Sequence, residues 1–303
     1  MSKKLVPLFL VLLLVFSAAA SLAEGSEIVV TDMLGREVTL SEPATRIVVM
    51  QPSDCEILCA IGCEDAIVGR GQYVDYPASI LKVPVVQSGA ETNVEEILAL
   101  QPQVVLMNTM SQSEEQVKQL EENGVKVVIS TTSNIESVYT AIHLIGKLMG
   151  KDAEADAVIT DMQTTFDEIK AKTSGEAKKV YFEISPPPYL YTAGSSSYMN
   201  ELAEICGITN IFGDQEDAWL MISEEQVIER NPDYIVLITN MGSAGVEEIL
   251  SREGWGDINA IKNRKVFNDE DSCMARPSPR LKDAAIELYN FVYEITAEEE
   301  PAA

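Results

Sequence analysis

The stretch RIVVMQPSDCEILCAIG, from Arg46 to Gly62, decides the fold of this chain. Its first part is a short β-rich run, and after a Pro-Ser turn the apolar residues take up helical spacing until they stop at Gly62. The same order recurs later, where KVYFEI from Lys179 to Ile184 precedes three prolines and a helical pattern over Tyr198 to Cys206. A strand, a turn and a helix therefore form a unit that occurs twice.

A second pair of segments repeats with the same spacing. NVEEIL begins at Asn93 and runs to Pro102 and a strand VVLM, whereas SEEQVI begins at Ser223 and runs to Pro232 and a strand YIVLI. Repetition on this scale predicts two equivalent α/β lobes. Short alternations of helix and strand can imitate a repeat, so duplication is the simplest explanation of the pattern and not the sole one.

The segment between the two repeats has its own pattern. Apolar residues follow helical spacing through it, and it lacks the glycine, serine and proline content of a flexible linker. We predict a helical connection that makes the lobes a fairly stiff pair, with a break near Gly146 or Gly150. The predicted units are a signal peptide (1–23), an N-terminal lobe (24–133), a connecting helix (134–173), a C-terminal lobe (174–294) and a flexible tail (295–303).

The first twenty-three residues have the order of a secretory signal. Lys3 and Lys4 give a positive start, Leu5 to Phe16 form an apolar run, and Ser21 to Ala23 offer a small-x-small cleavage site. The apolar run is shorter than the ~20 residues that span a bilayer, so we predict a cleaved signal and an exported protein. No lipoprotein cysteine follows the run, and we therefore expect free movement in a periplasm.

Composition excludes some partners. The hydrophobic content of 46% supports substantial cores, and Lys and Arg total 22 against 48 Asp and Glu. Loss of residues 1–23 removes two lysines and no acid, which leaves 20 against 48 and a net charge of −28. Such a surface repels nucleic acid and anionic lipid. We predict a monomer that does not bind nucleic acid.

Five cysteines form neither a zinc pattern nor a dense disulfide framework. Cys55, Cys59 and Cys63 lie four residues apart, which places them on one side of a helix. Cysteine behaves there as a small hydrophobic residue, so we predict that the three side chains form a stripe that packs in the core. A disulfide remains an alternative in an exported protein.

Two glutamates occupy equivalent positions in the repeat. Asn93 with Glu96, and Ser223 with Gln226, have the spacing of a capping box, which occupies the side chain at the third helical position. Glu95 and Glu225 lie one position earlier and are free to point outward. An acid there can simply complement the helix dipole, but one exposed carboxylate on each lobe also suits docking on a two-fold symmetric partner that offers one cation per subunit.

Several segments carry a likeness to one family. They are TDMLGREVTL, RIVVMQPSDCEILCAIG, GRGQYVDYP, NVEEILALQPQVVL, SEEQVIERNPDYIVL and RPSPRL. In order and spacing they resemble the iron-siderophore, haem and vitamin B12 periplasmic-binding family, the class III substrate-binding proteins of ABC importers. The resemblance covers nearly the whole exported chain and implies an α/β fold, with two Rossmann-like lobes joined by a long backbone helix and a ligand cleft between the lobes.

The resemblance also implies roles for particular residues. A glutamate from each lobe of that family forms salt bridges with arginines of the permease subunits, and Glu95 and Glu225 match those positions. Aromatic side chains from both lobes suit a flat or apolar ligand. Three of them match aromatic residues in the cleft of a vitamin B12 binder. A further tryptophan of that binder is replaced here by Gly89 or a neighbour. The predicted ligand-binding residues are Pro52, Ser53, Asp54, Tyr73, Tyr191, Trp219 and Arg276.

These residue roles have local support in the sequence. Pro52, Ser53 and Asp54 follow a predicted strand, at the carboxyl edge where α/β sheets bind ligands. Arg276 matches a cleft arginine that pairs with acid groups of the ligand in some relatives, although a surface arginine is an equal alternative, and loop aromatics can also simply seal a core.

Enzyme function finds little support. The sequence has no Walker A, G-x-S-x-G or H-E-x-x-H pattern, and its single histidine, His143, lies within the apolar spacing of the connecting helix, where we predict a structural role. We predict no intrinsic cofactor or metal site, and a ligand that arrives as a metal chelate. The expected function is capture of a corrinoid for an ABC importer, with a ferric siderophore or haem as the alternative ligand and an exported chelate-modifying enzyme as the alternative of another class.

Overall fold

A computed structural model gives the architecture. It describes residues 27–89, 92–109, 113–173, 178–239 and 242–295. The predicted signal peptide lies outside these ranges, and so does the predicted tail except for Ile295.

The N-terminal lobe is built on a five-stranded parallel sheet with the order β5-β4-β3-β6-β7. Its strands are rich in valine and isoleucine and are almost wholly buried, as expected where helices cover both faces of a parallel sheet. The strands are β3 (Ile47–Val49), β4 (Ile67–Gly71), β5 (Val85–Val86), β6 (Val104–Met107) and β7 (Lys126–Ile129). A separate antiparallel pair, β1 (Ile28–Thr31) and β2 (Glu37–Leu40), precedes them.

Three helices cover this sheet: α1 (Pro52–Ala60), α2 (Val94–Ala99) and α3 (Glu114–Glu122). Helix α1 begins with a proline in its first turn, where the missing N–H leaves no intrahelical bond unmade. Cys55 and Cys63 are buried in the core and Cys59 packs against it, all three as free thiols. The predicted packing of these cysteines in the core is therefore confirmed, but Cys63 lies beyond the end of α1 and does not share its face.

Two helices occupy the segment between the lobes: α4 (Ile135–Met149) and α5 (Asp152–Lys172). The break lies at Gly150, which ends α4 in the left-handed conformation with φ of 63°. Gly146 has a different role, because a Cβ there would lie 2.6 Å from the Cβ of Ala155, and its absence lets the two helices pack closely. Helix α4 packs on α1 and β1.

The longer helix α5 serves the C-terminal lobe. It contacts α6 (Tyr198–Ile205) and α10 (Leu281–Tyr293) and, at 21 residues, extends about 32 Å. The structural role predicted for His143 stays a prediction, but the side chain is not on the buried face as its spacing suggested. The ring of His143 is half exposed, with Nδ1 3.5 Å from a carboxylate oxygen of Asp156, because it lies one position off the apolar face of α4.

The C-terminal lobe repeats the plan of the first. Its parallel sheet has the order β10-β8-β12-β13, so that β8 lies between β10 and β12 as β3 lies between β4 and β6. The strands are β8 (Lys178–Glu183), β10 (Ile208–Asn210), β12 (Tyr234–Leu237) and β13 (Val266–Asn268). The further helices are α7 (Glu224–Arg230), α8 (Gly242–Ser251) and α9 (Asn259–Lys262). The predicted α/β class with two equivalent lobes is confirmed.

A short antiparallel ribbon, β9 (Tyr191–Ala193) with β11 (Trp219–Met221), is added to the second lobe. Within the described residues, no helix combines the length and the apolar character that crossing a membrane requires.

Candidate ligand-binding cleft

A cavity of about 860 Å³ lies between the lobes. It is lined from both sides by residues that follow the carboxyl ends of the two parallel sheets, the edge at which open α/β sheets bind ligands. Its volume is near the upper end of the range for small-molecule sites, which suits a bulky ligand. All seven residues predicted to bind ligand line this one cavity: Pro52, Ser53, Asp54, Tyr73, Tyr191, Trp219 and Arg276. Their binding role stays a prediction.

The N-terminal wall is the start of helix α1. Pro52, Ser53 and Asp54 form its first turn, and the hydroxyl of Ser130, which follows β7, donates to Oδ1 of Asp54 at 2.7 Å. Asp54 is 1% exposed. Burial raises the pKa of this carboxyl from 3.8 to about 7, although the hydrogen bond from Ser130 opposes the shift.

Two polar atoms of this wall are buried and find no hydrogen-bond partner among the described residues. They are Oδ2 of Asp54 and Nε2 of Gln51. Both residues line the cavity. Buried polar groups are nearly always paired in native proteins, so two unpaired polar atoms on this wall mark a surface that is completed by something else.

The C-terminal wall is aromatic and is positioned by the β9/β11 ribbon. Trp219 pairs with Ala193, and Met221 pairs with Tyr191, so the two aromatic residues share a face of the ribbon. Thr192 points the other way, where its hydroxyl donates to the buried carbonyl of Phe182. Tyr191 and Trp219 remain about 40% exposed.

Two further tyrosines complete the aromatic lining. Tyr73 lies in the loop after β4, on the opposite lobe, and is 68% exposed. Tyr198 is buried beneath Trp219, with the two rings in edge-to-face contact at 5.5 Å between centroids. Tyr198 therefore fixes the orientation of the tryptophan ring. Aromatic surfaces thus face the cavity from both lobes.

Arg276 lines the cavity, but its guanidinium group is already paired. Nη1 lies 3.2 Å from Oε1 of Glu56, and Nη2 lies 2.7 Å from Oδ1 of Asp75. Arg280 also approaches Glu56, and Ser278 donates its hydroxyl to it. The expected arginine is therefore present at the cleft, but both of its partners come from the N-terminal lobe of the same chain.

Several cavity residues were not predicted from the sequence. Gln51, Asn108, Ser130, Ser185 and Thr239 each lie within two residues of the end of a parallel strand. This position is itself a signal, because the carboxyl ends of parallel strands meet at one edge of the sheet. Applied to every strand, the rule that located Asp54 would have found them.

Glu95 and Glu225 are exposed, in the first turns of α2 and α7. Each of these helices leads into a parallel strand, so it starts near the same sheet edge as the cleft. The pKa of Glu225 lies below its usual value because its carboxylate accepts from its own backbone N–H and from Ser223. The docking role stays a prediction.

The predicted caps of these two helices differ. The backbone N–H of Ser223 donates to Gln226 at 2.9 Å, as the capping box requires. In the first lobe the Asn93 side chain accepts from the backbone of Glu95 and Glu96, but the Glu96 carboxylate accepts from Gln87 instead of returning to Asn93. The reciprocal half of that box was predicted wrongly, because the N–H of Asn93 is taken by the carbonyl of Gln87.

Within the part of the chain that the structure describes, one cluster has the donor atoms of a metal site: Asp269, Cys273 and Glu287. The carboxylate of Asp269 already accepts three backbone N–H groups, from Cys273, Met274 and Ala275. An Arg280 nitrogen lies 2.9 Å from Sγ of Cys273 and opposes a cation there. The cluster is explained by its role in holding the loop that carries Arg276.

Two α/β lobes with a cleft at the carboxyl edges of both sheets, connected by a pair of packed helices, define a solute-binding protein. The chain belongs to the periplasmic binding protein family, whose model matches residues 47–272. It is a substrate-binding protein of an ABC transporter, a class that binds small ligands and works with permease subunits in the membrane. The family resemblance seen in the sequence is confirmed.

Individual relatives agree with this family assignment. The chain is 32% identical to the ABC transporter substrate-binding lipoprotein YvrC of Bacillus subtilis, over 93% of this chain and 91% of the relative. It is 30% identical to the vitamin B12-binding protein of Salmonella paratyphi A, over 83% of this chain and 91% of the relative. Among solved structures, a periplasmic binding protein from Veillonella parvula superposes with a TM-score of 0.77 at 20% identity, covering 90% of this chain and all of that one, which shows the shared fold.

The predicted location requires a correction. We predicted a protein that moves freely in a periplasm without a lipid anchor, and the Bacillus subtilis relative, which matches nearly the whole chain, is a lipoprotein. The prediction of an unanchored periplasmic protein is therefore wrong, whereas a location outside the cytoplasm agrees with the relative. The family consists of solute-binding transport proteins, which gives the alternative of an exported enzyme no support.

Proposed function

We propose that this protein captures a corrinoid, a vitamin B12-like cobalt chelate, in the cleft between its lobes and delivers it to the permease of an ABC importer. The observation that carries the proposal is the set of exposed aromatic side chains that face the cavity from opposite lobes, Tyr73 on one side and Tyr191 and Trp219 on the other. The 30% identity to a vitamin B12-binding protein over most of both chains supports it.

Stacking explains why these residues suit a macrocycle. A flat ring system buries a large area against aromatic faces, and such contacts exceed what area alone provides by about 0.5 to 1.5 kcal/mol each. The cavity of about 860 Å³ has room for such a ligand, and a bare ion would leave it largely empty. The metal therefore arrives inside the ligand, and the protein needs no cofactor of its own.

Delivery is the second part of the proposal. Glu95 and Glu225, one exposed carboxylate on each lobe, dock the loaded protein on cationic side chains of the two permease subunits. The chain acts outside the cytoplasm as a monomer, and its acidic surface keeps it off nucleic acid.

The identity of the ligand is tested by what binds to the purified protein. The absorption and mass spectra of co-purifying material are recorded, and cobalamin, cobinamide, haemin and a ferric siderophore are then titrated separately. We expect a stable one-to-one complex with a corrinoid. Binding of haemin or the siderophore alone would replace the corrinoid with that ligand, and chemical conversion of a bound chelate would favour the enzyme alternative.

Two neighbouring tyrosines offer a matched test of the aromatic wall. Tyr191 lines the cavity, whereas Tyr189, two residues earlier, is 68% exposed and outside the lining. We expect Tyr191→Ala to weaken corrinoid binding about tenfold, the equivalent of one lost stacking contact. Tyr189→Ala should leave the affinity unchanged, and equal effects of the two substitutions would contradict the proposed binding site.

A further inference from the structure

The acidic and basic residues of the cleft bear on the charge of the ligand that it can accept. Among the described residues that line the cavity, three have acidic or basic side chains: Asp54, Asp75 and Arg276. The two acids outnumber the one base. A cleft built to bind a polyanionic chelate would be expected to show the opposite balance, because carboxylates are bound by cations and paired N–H donors.

Arg276, the cationic residue of this lining, forms ion pairs within the protein through both of its terminal nitrogens. Nη2 of Arg276 lies 2.7 Å from Asp75, and Nη1 lies 3.2 Å from Glu56, whose side chain is 2% exposed. The second arginine of the cluster, Arg280, shares the same oxygen of Glu56 at 3.4 Å and stacks on the ring of Tyr76 at 3.9 Å. Two guanidinium groups therefore meet two carboxylates, and no positive charge is left over for a ligand.

The N-terminal wall of the cleft likewise offers no cation to a ligand. Asp54 lies in the first turn of α1 and lines the cavity, with one oxygen bonded to Ser130 and the other without a partner among the described residues. A ligand carboxylate brought to this wall loses its water without meeting a cation, which is costly in a desolvated site. An amide or a hydroxyl group carries no such charge and can donate a hydrogen bond.

We propose that the cleft selects its ligand by charge: it accepts an uncharged or cationic chelate with primary amide or hydroxyl substituents, excludes one bearing carboxylates, and uses Asp75 as the residue that sets this preference by occupying Arg276. The inference rests on the proposed function and narrows it. Glu56 holds Arg276 from the buried side, so that loss of Asp75 releases the guanidinium group toward the cavity without detaching it from the protein.

The test compares ligands that share a macrocycle and differ in charge. Cobinamide, which carries primary amides, and the heptacarboxylate of the same corrin ring are titrated into the protein by absorbance. We expect cobinamide to bind at least about tenfold more tightly, the ratio that corresponds to one unfavourable charge contact. Haemin and its dimethyl ester repeat the comparison on a porphyrin, with the ester expected to bind better. If no corrinoid binds, the proposed function fails while this porphyrin pair still tests charge selection.

The variant Asp75→Asn tests the residue itself. It keeps the size of the side chain and removes one charge, and we expect the heptacarboxylate to gain about tenfold in affinity while cobinamide changes little. Asp65→Asn removes the same charge from an exposed position outside the lining and serves as the control. The proposal is overturned if the carboxylate forms bind the unmodified protein as tightly as the amide or ester forms, or if Asp75→Asn and Asp65→Asn have the same effect.

Discussion

Oε1 of Glu56, in the first helix of the N-terminal lobe, lies 3.2 Å from Nη1 of Arg276, in the last loop of the C-terminal lobe. The two residues are 220 positions apart in the chain, and both side chains are largely buried. An ion pair at this place links the lobes directly behind the cleft. It therefore bears on stability as well as on the charge that a ligand meets.

The first prediction concerns this link. Glu56→Ala leaves Arg280 without its carboxylate partner and Arg276 with Asp75 alone, and removal of one member of a buried ion pair typically costs about 3 to 5 kcal/mol. We expect a loss near the lower end of that range, since Asp75 still partners Arg276. The free energy of unfolding in urea measures it. Glu168→Ala, an exposed acid on helix α5, is the control, and an equal effect of both variants would contradict the role of Glu56.

The second prediction concerns pH. The folded protein holds a proton on Asp54 up to about pH 7, whereas the unfolded chain releases it near 3.8, so the folded state binds more protons between these values. The free energy of unfolding therefore falls as pH rises through this window, by on the order of 4 kcal/mol for three pH units. Asp54→Asn removes this contribution and should make the dependence shallower between pH 4 and 7.

Urea unfolding at a series of pH values checks this prediction. Asn can still accept the hydrogen bond from Ser130, so the variant tests the ionisation of the side chain and not its packing. Glu56, Glu183 and Asp269 also have pKa values raised by burial, so the decline with pH should be reduced in Asp54→Asn and not abolished. Parallel curves for the variant and the unmodified protein would show that Asp54 does not titrate in this window.

The sequence predicted most of the fold and the position of the cleft because both depend on local patterns. Strand, turn and helix signals are short, and the rule that ligands meet the carboxyl edge of a parallel sheet turns them into a site. This is how Asp54 was found without any knowledge of distances, whereas Trp219 came from the family likeness. Family likeness supplied the rest of the wall.

Pairing across the lobes could not be predicted in this way. Arg276 was recognised as a cleft residue, but its engagement by Asp75 and Glu56 depends on contacts between segments about 200 positions apart. The exposure of His143 was missed for a related reason, since a shift of one residue on a helix moves a side chain from the buried face to the solvent. Helical spacing alone does not resolve that difference.

The third prediction concerns the loop that positions the aromatic wall. A Cβ at Gly194 would overlap the backbone carbonyl oxygen of Asp217 and lie 2.8 Å from that of Gln215, so the loop leading into β11 would have to shift. Gly194→Ala should therefore displace Trp219, weaken ligand binding at least about tenfold and cost about 1 to 3 kcal/mol of stability. Gly256→Ala adds a methyl group where nothing lies within 4 Å and is the matched control. Unchanged tryptophan fluorescence and affinity in Gly194→Ala would contradict this account.

The last prediction separates delivery from capture. Glu95 and Glu225 lie in the first turns of two equivalent helices, and their exposed carboxylates make no ion pair among those found in the described residues. The double charge reversal Glu95→Lys and Glu225→Lys places two cations against a cationic permease surface, so uptake by cells should fall about tenfold or more while ligand affinity in solution stays unchanged.

Two other exposed glutamates provide the control for that experiment. Glu115 lies in the first turn of α3 on the N-terminal lobe, and Glu229 lies near the end of α7 on the C-terminal lobe. Reversing both changes the net charge by the same amount, so a loss of uptake confined to the first pair must depend on position. Because Glu225 and Glu229 are on one short helix, the comparison places the docking surface at its N-terminal turn, near the edge of the cleft. Equal losses from the two pairs would instead show a general effect of surface charge, and undiminished uptake in the first pair would exclude these glutamates from docking.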